Sequence, residues 1–189
     1  MELLLFDDAD SKTASRVIRL HASGHRTDHY WHVMVEGLRP GQVYGFRADG
    51  PFRPDQGLRY DPTKVLLDPY GRAVAVPTQF QRQAGALPGD NTAHAMKSVV
   101  ADLQQYDWEG DMPLQRSFHK TIIYEMHVGG FTRHPSSGLT ESQRGTYTGL
   151  VKKIPYLKSL GVTAVELLPI FQFDPQDAPL GLTNYWGYN

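Results

Sequence analysis

The strongest constraint on this chain is a change of hydrophobic period near Lys120. Thr121–Val128 is a mostly apolar run that Gly129-Gly130 ends. Tyr147, Leu150, Val151, Ile154, Leu157 and Leu160 then recur in steps of three and four, and Val162–Ile170 is a second apolar run. A helical period between two near-continuous apolar segments predicts a strand, an amphipathic helix over 147–160 and a second strand. Strands joined this way run parallel and are normally buried on both faces. Pro155 predicts a kink or a lost hydrogen bond within the helix. Thr146 or Thr148 suits the N-cap, and Gly161 suits the C-terminal stop. One β-α-β unit cannot bury both faces of its two strands, so residues from about 120 onward read as the beginning of a larger α/β domain.

The first hundred residues follow a different rule. Leu3–Phe6, Arg16–His21, Tyr30–Val35 and Gln42–Ala48 are short strand candidates. In Tyr30–Val35, Trp31, Val33 and Val35 share one face, and Tyr30, His32 and Met34 the other. Tyr44 and Phe46 share a face after the Pro40-Gly41 turn. Period-two alternation with turn residues at short intervals, and no helical period, predicts a β-sandwich. Pro51, Pro54, Pro62 and Pro69 punctuate an irregular connection. Residues 85–115 read as a linker with a turn at Pro88–Asn91 and one short strand at Lys97–Ala101.

Composition narrows the function. With 189 residues the chain holds one domain, or one and part of a second. Its 19 Lys+Arg against 20 Asp+Glu lack the basic excess of a nucleic-acid binder. It has no Cys, so disulfide scaffolds, thiolate metal sites and cysteine nucleophiles are excluded. The run Leu3–Phe6 is ended by Asp7-Asp8, too early for a signal-peptide core, and nothing approaches a membrane span. His21/His25 and His29/His32 are the close histidine pairs, and neither brings the partners of a ligand set. The expectation is no metal, no cofactor, no nucleic acid and no membrane. The expected setting is cytoplasmic, with a plastid or another compartment left open.

Several motifs carry a family likeness. Thr121-Ile-Ile-Tyr-Glu-Met-His-Val128, Gly145-Thr-Tyr147, Lys153-Ile-Pro-Tyr-Leu157, Gly161-Val-Thr-Ala-Val-Glu-Leu-Leu-Pro169 and Asn184-Tyr-Trp-Gly-Tyr188 resemble the first β-α-β unit of an isoamylase-type glycogen debranching enzyme, within the α-amylase superfamily of glycoside hydrolases. Upstream, Gly37-Leu-Arg-Pro-Gly41, Tyr44-Gly-Phe-Arg47, Gly50-Pro51 and Lys64-Val-Leu-Leu-Asp-Pro-Tyr70 resemble the β-sandwich carbohydrate-binding module ahead of the barrel in those enzymes. Asp90-Asn91 and Lys97-Ser-Val-Val100 fit the connecting region. The resemblance implies a multidomain chain. An immunoglobulin-like all-β sandwich with its linker (residues 1–117) lacks its first strand or strands. The first β-α-β unit of an incomplete TIM (β/α)8 barrel follows (residues 118–189).

The implied activity is hydrolysis of α-1,6 branch linkages in glycogen or a starch-like α-glucan, which is the expected partner; oligomeric state is left open. Retaining glycosidases use two carboxyl groups about 5–5.5 Å apart. The resemblance places both on later barrel strands, so no catalytic residue is assigned and the chain alone is expected to be inactive. Glu125 and Glu166 read instead as buried structural carboxylates. The resemblance makes Tyr188 the tyrosine that stacks on sugar at the cleavage subsite. Tyr185, Trp186 and His127 are further substrate-binding candidates near the C-terminal ends of the strands. For these three, packing beneath the loop or a core hydrogen bond is the favoured alternative. The aromatics Tyr30, Trp31, Tyr44, Phe46 and Phe52 read as core rather than as a glucan platform. Three rivals stand beside this reading: a non-catalytic α-glucan-binding protein, a piece of a branching enzyme or trehalose-releasing hydrolase, and a nonfunctional truncated reading frame.

Overall fold

A computed structural model describes residues 1–104 and 106–189; Gln105, inside the stretch read as a linker, lies outside the described residues. The chain divides into two compact units, Met1–Tyr106 and Asp107–Asn189. No helix among the described residues is long and apolar enough to cross a membrane.

The first unit contains strands β1 (Glu2–Phe6), β2 (Arg16–Arg19), β3 (Arg26–Thr27), β4 (Tyr30–Trp31), β5 (Val43–Arg47), β6 (Phe52–Arg53), β7 (Leu58–Arg59), β8 (Ala73–Ala75) and β9 (Lys97–Val99). Five of them form one antiparallel sheet in the order β2-β1-β5-β9-β8, while β3-β4 and β6-β7 are separate two-stranded ribbons. Leu3–Phe6 is apolar without alternation because β1 is covered on both faces. Leu4 and Phe6 pack with Val43 and Val65, while Leu3 and Leu5 pack with Leu20. Period two still applies, since the two sets alternate along the strand. Among the described residues of Met1–Tyr106 there is one large sheet with two ribbons, rather than two stacked sheets of similar size.

Three expectations need correction here. Only Tyr30–Trp31 of the Tyr30–Val35 run is strand. Trp31, Val33 and Val35 nevertheless pack against the Leu3/Leu5/Leu20 cluster, while Tyr30 and Met34 are exposed. The alternation reports which side is buried; it does not report a hydrogen-bonded neighbour. Second, residues 22–25 form a single helical turn, α1 (Ala22–His25), too short to leave a period in the sequence. Third, Tyr30 and Phe52 are exposed and not core, whereas Trp31, Tyr44 and Phe46 do pack into the second cluster, with Tyr44 and Phe46 edge to face at 6.1 Å.

Buried polar groups tie the loops of this unit down. Lys97 is fully buried, and its ammonium donates to Ala9 O at 2.6 Å and Thr92 O at 2.7 Å, over the Phe6 ring. Lys64 donates to the carbonyls of Ala84, Leu87 and Gly89 at 2.5–2.9 Å. Asn91 Oδ1 accepts from Val65 N at 2.7 Å. Each clamp satisfies carbonyls or amides that an irregular loop would otherwise leave unpaired. Such loops carry no periodic signal, so residues 78–95 are ordered by contacts that span 5 to 68 positions of sequence.

The second unit holds β10 (Ile123–Met126), α2 (Val128–Phe131), α3 (Tyr147–Lys152), α4 (Ile154–Ser159) and β11 (Ala164–Leu167). β10 and β11 are parallel neighbours, with Ile123 opposite Ala164 and Glu125 opposite Glu166. The single helix read from the period is two helices meeting at Lys153, because Pro155 occupies the first turn of α4, where a missing N–H costs nothing. Thr146 is the N-cap of α3, its hydroxyl accepting from Gly149 N at 3.1 Å. Gly161, at φ +81°, closes α4: Gly161 N bonds Lys158 O and Val162 N bonds Leu157 O, the paired bonds of a left-handed glycine stop. The strands are not buried as a complete α/β sheet would bury them. Ile123, Tyr124 and Val165 remain exposed, since among the described residues a two-stranded ribbon has both edges open.

Candidate functional site

The site is built where both parallel strands end. His127 follows β10 directly and caps α2, its Nδ1 accepting from Gly130 N at 3.0 Å. Its Nε2 lies 2.8 Å from Tyr185 O. Since Nδ1 accepts, Nε2 carries the proton and donates to that carbonyl. Both ring nitrogens are thus occupied, and the imidazole is fixed between a helix start and a loop.

On that fixed ring lies Tyr185, stacked at 4.2 Å between centroids and 9° between planes. Trp186 meets both edge-on, at 6.2 Å from His127 and 5.8 Å from Tyr185. The cluster needs Gly130: a Cβ there would stand 2.6 Å from the Tyr185 hydroxyl. Asn184 shapes the turn that carries the two rings, its side-chain amide donating to Tyr188 O at 2.5 Å and its Oδ1 accepting from Gly187 N at 3.1 Å. Gly187 has φ +77° and lies close to Pro169 O, where β11 has ended.

These pieces surround an open cleft of about 710 Å³. Its walls are the segment after β10 (His127, Val128, Gly129), the start of α3 (Thr146, Tyr147), the segment after β11 (Pro169, Ile170, Phe171, Phe173) and the 183–187 turn, with Arg133 and Gly145. Tyr185 and Trp186 keep more than half their surface exposed, so ring faces and edges remain available. No wall residue is a carboxylate. The cleft offers aromatic faces, hydroxyls, amides and one guanidinium. That set can stack on the apolar face of a ring and hydrogen-bond its hydroxyls, but it holds no acid–base pair.

The structure gathers three of the four sequence-derived candidates, His127, Tyr185 and Trp186, into one stack. Tyr188 is exposed and is not a wall of this cleft; its backbone carbonyl, not its ring, is tied into the turn. Glu125 and Glu166 are opposite each other but solvent-exposed, not buried as read from the sequence, because nothing among the described residues covers that face of the ribbon. No group of three or more His, Asp or Glu among the described residues is placed to hold a metal ion.

Sequence reading passed over Thr132, which is fully buried with its hydroxyl accepting from Gly145 N at 2.8 Å. Nor does the sequence reveal what Gly130 and Asn184 do for the aromatic geometry. The Gly129-Gly130 pair was visible as a strand breaker; that its lack of a side chain makes room for Tyr185, 55 positions away, was not.

Fold and cleft together define an antiparallel β module followed by a parallel β-α-β unit with an aromatic, ring-sized cleft at its strand ends. The chain belongs to the α-amylase family: the model described as "Alpha amylase, catalytic domain" matches residues 95–189, and "Carbohydrate-binding module 48 (Isoamylase N-terminal domain)" matches residues 1–71. It is 43% identical over 202 residues to a protein named glycogen debranching enzyme from Salmonella typhi, covering all of this chain and 29% of that protein. It is 38% identical over 196 residues to isoamylase 1, chloroplastic, from Arabidopsis thaliana, covering 99% of this chain and 24% of that protein. Among solved structures it resembles a pullulanase from Anoxybacillus sp. LM18-11, with a TM-score of 0.62 and 26% identity over the whole chain and 24% of that structure. The chain therefore spans about a quarter of the length of the relatives it matches.

Proposed function

We propose that this chain is the carbohydrate-binding-type module and the first β-α-β unit of a (β/α)8 barrel in a glycoside hydrolase that removes α-1,6 branches from glycogen or a starch-like α-glucan. In this reading residues 1–117 form an immunoglobulin-like module with its linker, and residues 118–189 open the barrel. The observation that carries it is the cleft at the C-terminal ends of two parallel strands, walled by a fixed His127–Tyr185 stack and Trp186. That end of a parallel α/β barrel is where substrate sites are built.

In mechanism, the residues present bind and orient. Tyr185 and Trp186 offer flat apolar surfaces to the C–H faces of glucose rings, while Thr183, another wall of the cleft, supplies a hydroxyl to hydrogen-bond those of the sugar. By the family resemblance, Tyr188 adds a ring that stacks on the sugar at the cleavage subsite. The bond-breaking step is a double displacement through a covalent glycosyl-enzyme, and its two carboxyl groups are supplied from outside these 189 residues. The chain alone is accordingly inactive on glycogen, in a cytoplasmic enzyme whose partner is an uncharged α-glucan.

Titration calorimetry of the chain with maltotriose tests the cleft. Trp186→Ala should weaken binding about tenfold, an effect of about 1.4 kcal/mol within the range of aromatic contacts. Undiminished affinity in that variant would remove the cleft from the reading. Release of linear maltooligosaccharide from glycogen by the chain itself would overturn the inactivity.

A second reading, a non-catalytic glucan binder, draws on Tyr30 and Tyr70. Both rings are exposed and lie 6.2 Å apart on the first unit. Glycogen affinity gels with Tyr30→Ala and Tyr70→Ala separate the two: retardation lost there, and unchanged in Trp186→Ala, favours it.

A further inference from the structure

A second pocket adjoins the aromatic cleft and has a different chemistry. It encloses about 270 Å³ and is walled by Arg133, Glu141 and Arg144. Arg133 is also a wall of the cleft, so one side chain borders both spaces. Two guanidiniums face one carboxylate, which leaves one positive charge in excess. Among the described residues neither arginine forms an ion pair, and Glu141 is not within salt-bridge distance of either. The Nε of Arg144 is buried without a hydrogen-bond acceptor.

The backbone flanking the two arginines, at Thr132 and Gly145, is held in place. Gly145 sits at φ +73°, its N–H donating to the buried Thr132 hydroxyl, and a Cβ at Gly145 would lie 3.3 Å from an Arg133 Nη. Arg133 is exposed but its Cδ and guanidinium lie beside the Gly145 backbone, and Arg144 is half-buried. A buried guanidinium N–H without an acceptor is costly, and arginine forks match tetrahedral oxyanions with paired, charge-assisted hydrogen bonds.

We infer that Arg133 and Arg144 form a binding site for a phosphate oxyanion beside the aromatic cleft, suited to a phosphate ester carried by a sugar whose ring lies in that cleft. Glu141 sets the charge of the site: it repels the dianion and so limits affinity. The oxyanion chemistry stands independently of the glucan reading. Only the position of the sugar rests on it.

The test uses the full 189-residue chain with inorganic phosphate and, separately, glucose 6-phosphate, followed by calorimetry and by the arginine Nε–H resonances. Saturable movement of both resonances with inorganic phosphate, absent with chloride at equal ionic strength, is the expected result. Arg133→Met and Arg144→Met should each weaken binding at least tenfold, and Glu141→Gln should strengthen it several-fold. Arg144→Lys keeps the charge and most of the stem but not the planar fork, so it should also weaken binding several-fold if Arg144→Met disturbs folding. No saturable shift, or weaker binding in Glu141→Gln, overturns the site; the latter would make Glu141 the true partner of the arginines. Glucose 6-phosphate binding more tightly than phosphate, with the advantage lost in Trp186→Ala, assigns a sugar-borne ester. Equal affinities support the oxyanion site and assign it to free phosphate. Maltotriose binding without phosphate binding leaves the cleft intact and removes this pocket alone.

Discussion

Gly149 is the position where structure and helix propensity disagree most sharply. It lies in α3, where replacing Gly by Ala ordinarily stabilises by about 1 kcal/mol. Here a Cβ would fall 2.2 Å from Gln143 O and 3.1 Å from the Thr132 hydroxyl. The first contact is with backbone, so the chain must move. Gln143 O is also the acceptor of the Thr146 hydroxyl at 2.8 Å, and Thr146 caps α3 through Gly149 N. Displacing that carbonyl weakens the cap. Overpacking costs about 1–3 kcal/mol and a lost cap about 1 kcal/mol. Set against the propensity gain, the net is a loss of about 1–3 kcal/mol. Hydrogen exchange at Leu150 N, which bonds Thr146 O at 3.0 Å, reads this directly. Protection in Gly149→Ala should fall by roughly 5- to 150-fold relative to the parent chain. Gly24→Ala in α1 is the control, since nothing lies within 4 Å of its Cβ, and it should leave protection in α3 unchanged. Equal or greater protection of Leu150 in Gly149→Ala would show that the crowding argument is wrong. Because Thr146 and Tyr147 are walls of the cleft, the same variant should also weaken maltotriose binding.

Other outcomes follow from the same physics. Gly130→Ala pushes the Tyr185 ring off His127, so sugar affinity should drop several-fold, read by calorimetry, with the first unit's stability unchanged. Burial, then the hydrogen bond to Asp68 and its charge, push the Tyr44 phenol up to about 12 from the ordinary 10, against a smaller opposing effect of Ser98. The neutral form is favoured on folding, so this stability is complete below pH 10 and is lost as pH rises through about 12. Phenolate absorbance should show one late-ionising tyrosine that is absent in Tyr44→Phe. Burial raises the Asp90 carboxyl, but the Thr92 hydroxyl and N–H, Arg47 and Lys64 outweigh it and leave it below the usual carboxylate value. Its contribution is therefore present above about pH 4 and lost as pH falls further. The stability gap between the parent chain and Asp90→Asn, measured by denaturant, should close in that acid range.

What could be read without coordinates was local or periodic. The apolar runs on either side of a 3.6-residue repeat announced β10, the helical crossover and β11. Thr146 and Gly161 marked the ends of the crossover because capping depends on residues a few positions apart. Pro155 announced a disturbance, and only the backbone showed that it starts a second helix rather than bending one. The sequence shows the aromatic residues clustered after β11, at the end of a parallel strand. Their stacking on His127 does not show there, since it depends on a hydrogen bond across 58 positions.

The amino-acid sequence by itself determined the two-part plan, the parallel pairing of the later strands and the family likeness, because each rests on short-range pattern and residue type. The tertiary structure alone decided which aromatics face solvent, why Gly130 and Gly149 tolerate no side chain, and that Arg133 borders both an aromatic cleft and a polar pocket. Those outcomes arise where distant segments compete for the same few cubic ångströms. Steric exclusion and hydrogen-bond satisfaction there are properties of the packed chain, set by where backbone and side chains are placed in space and not by the order of residue types.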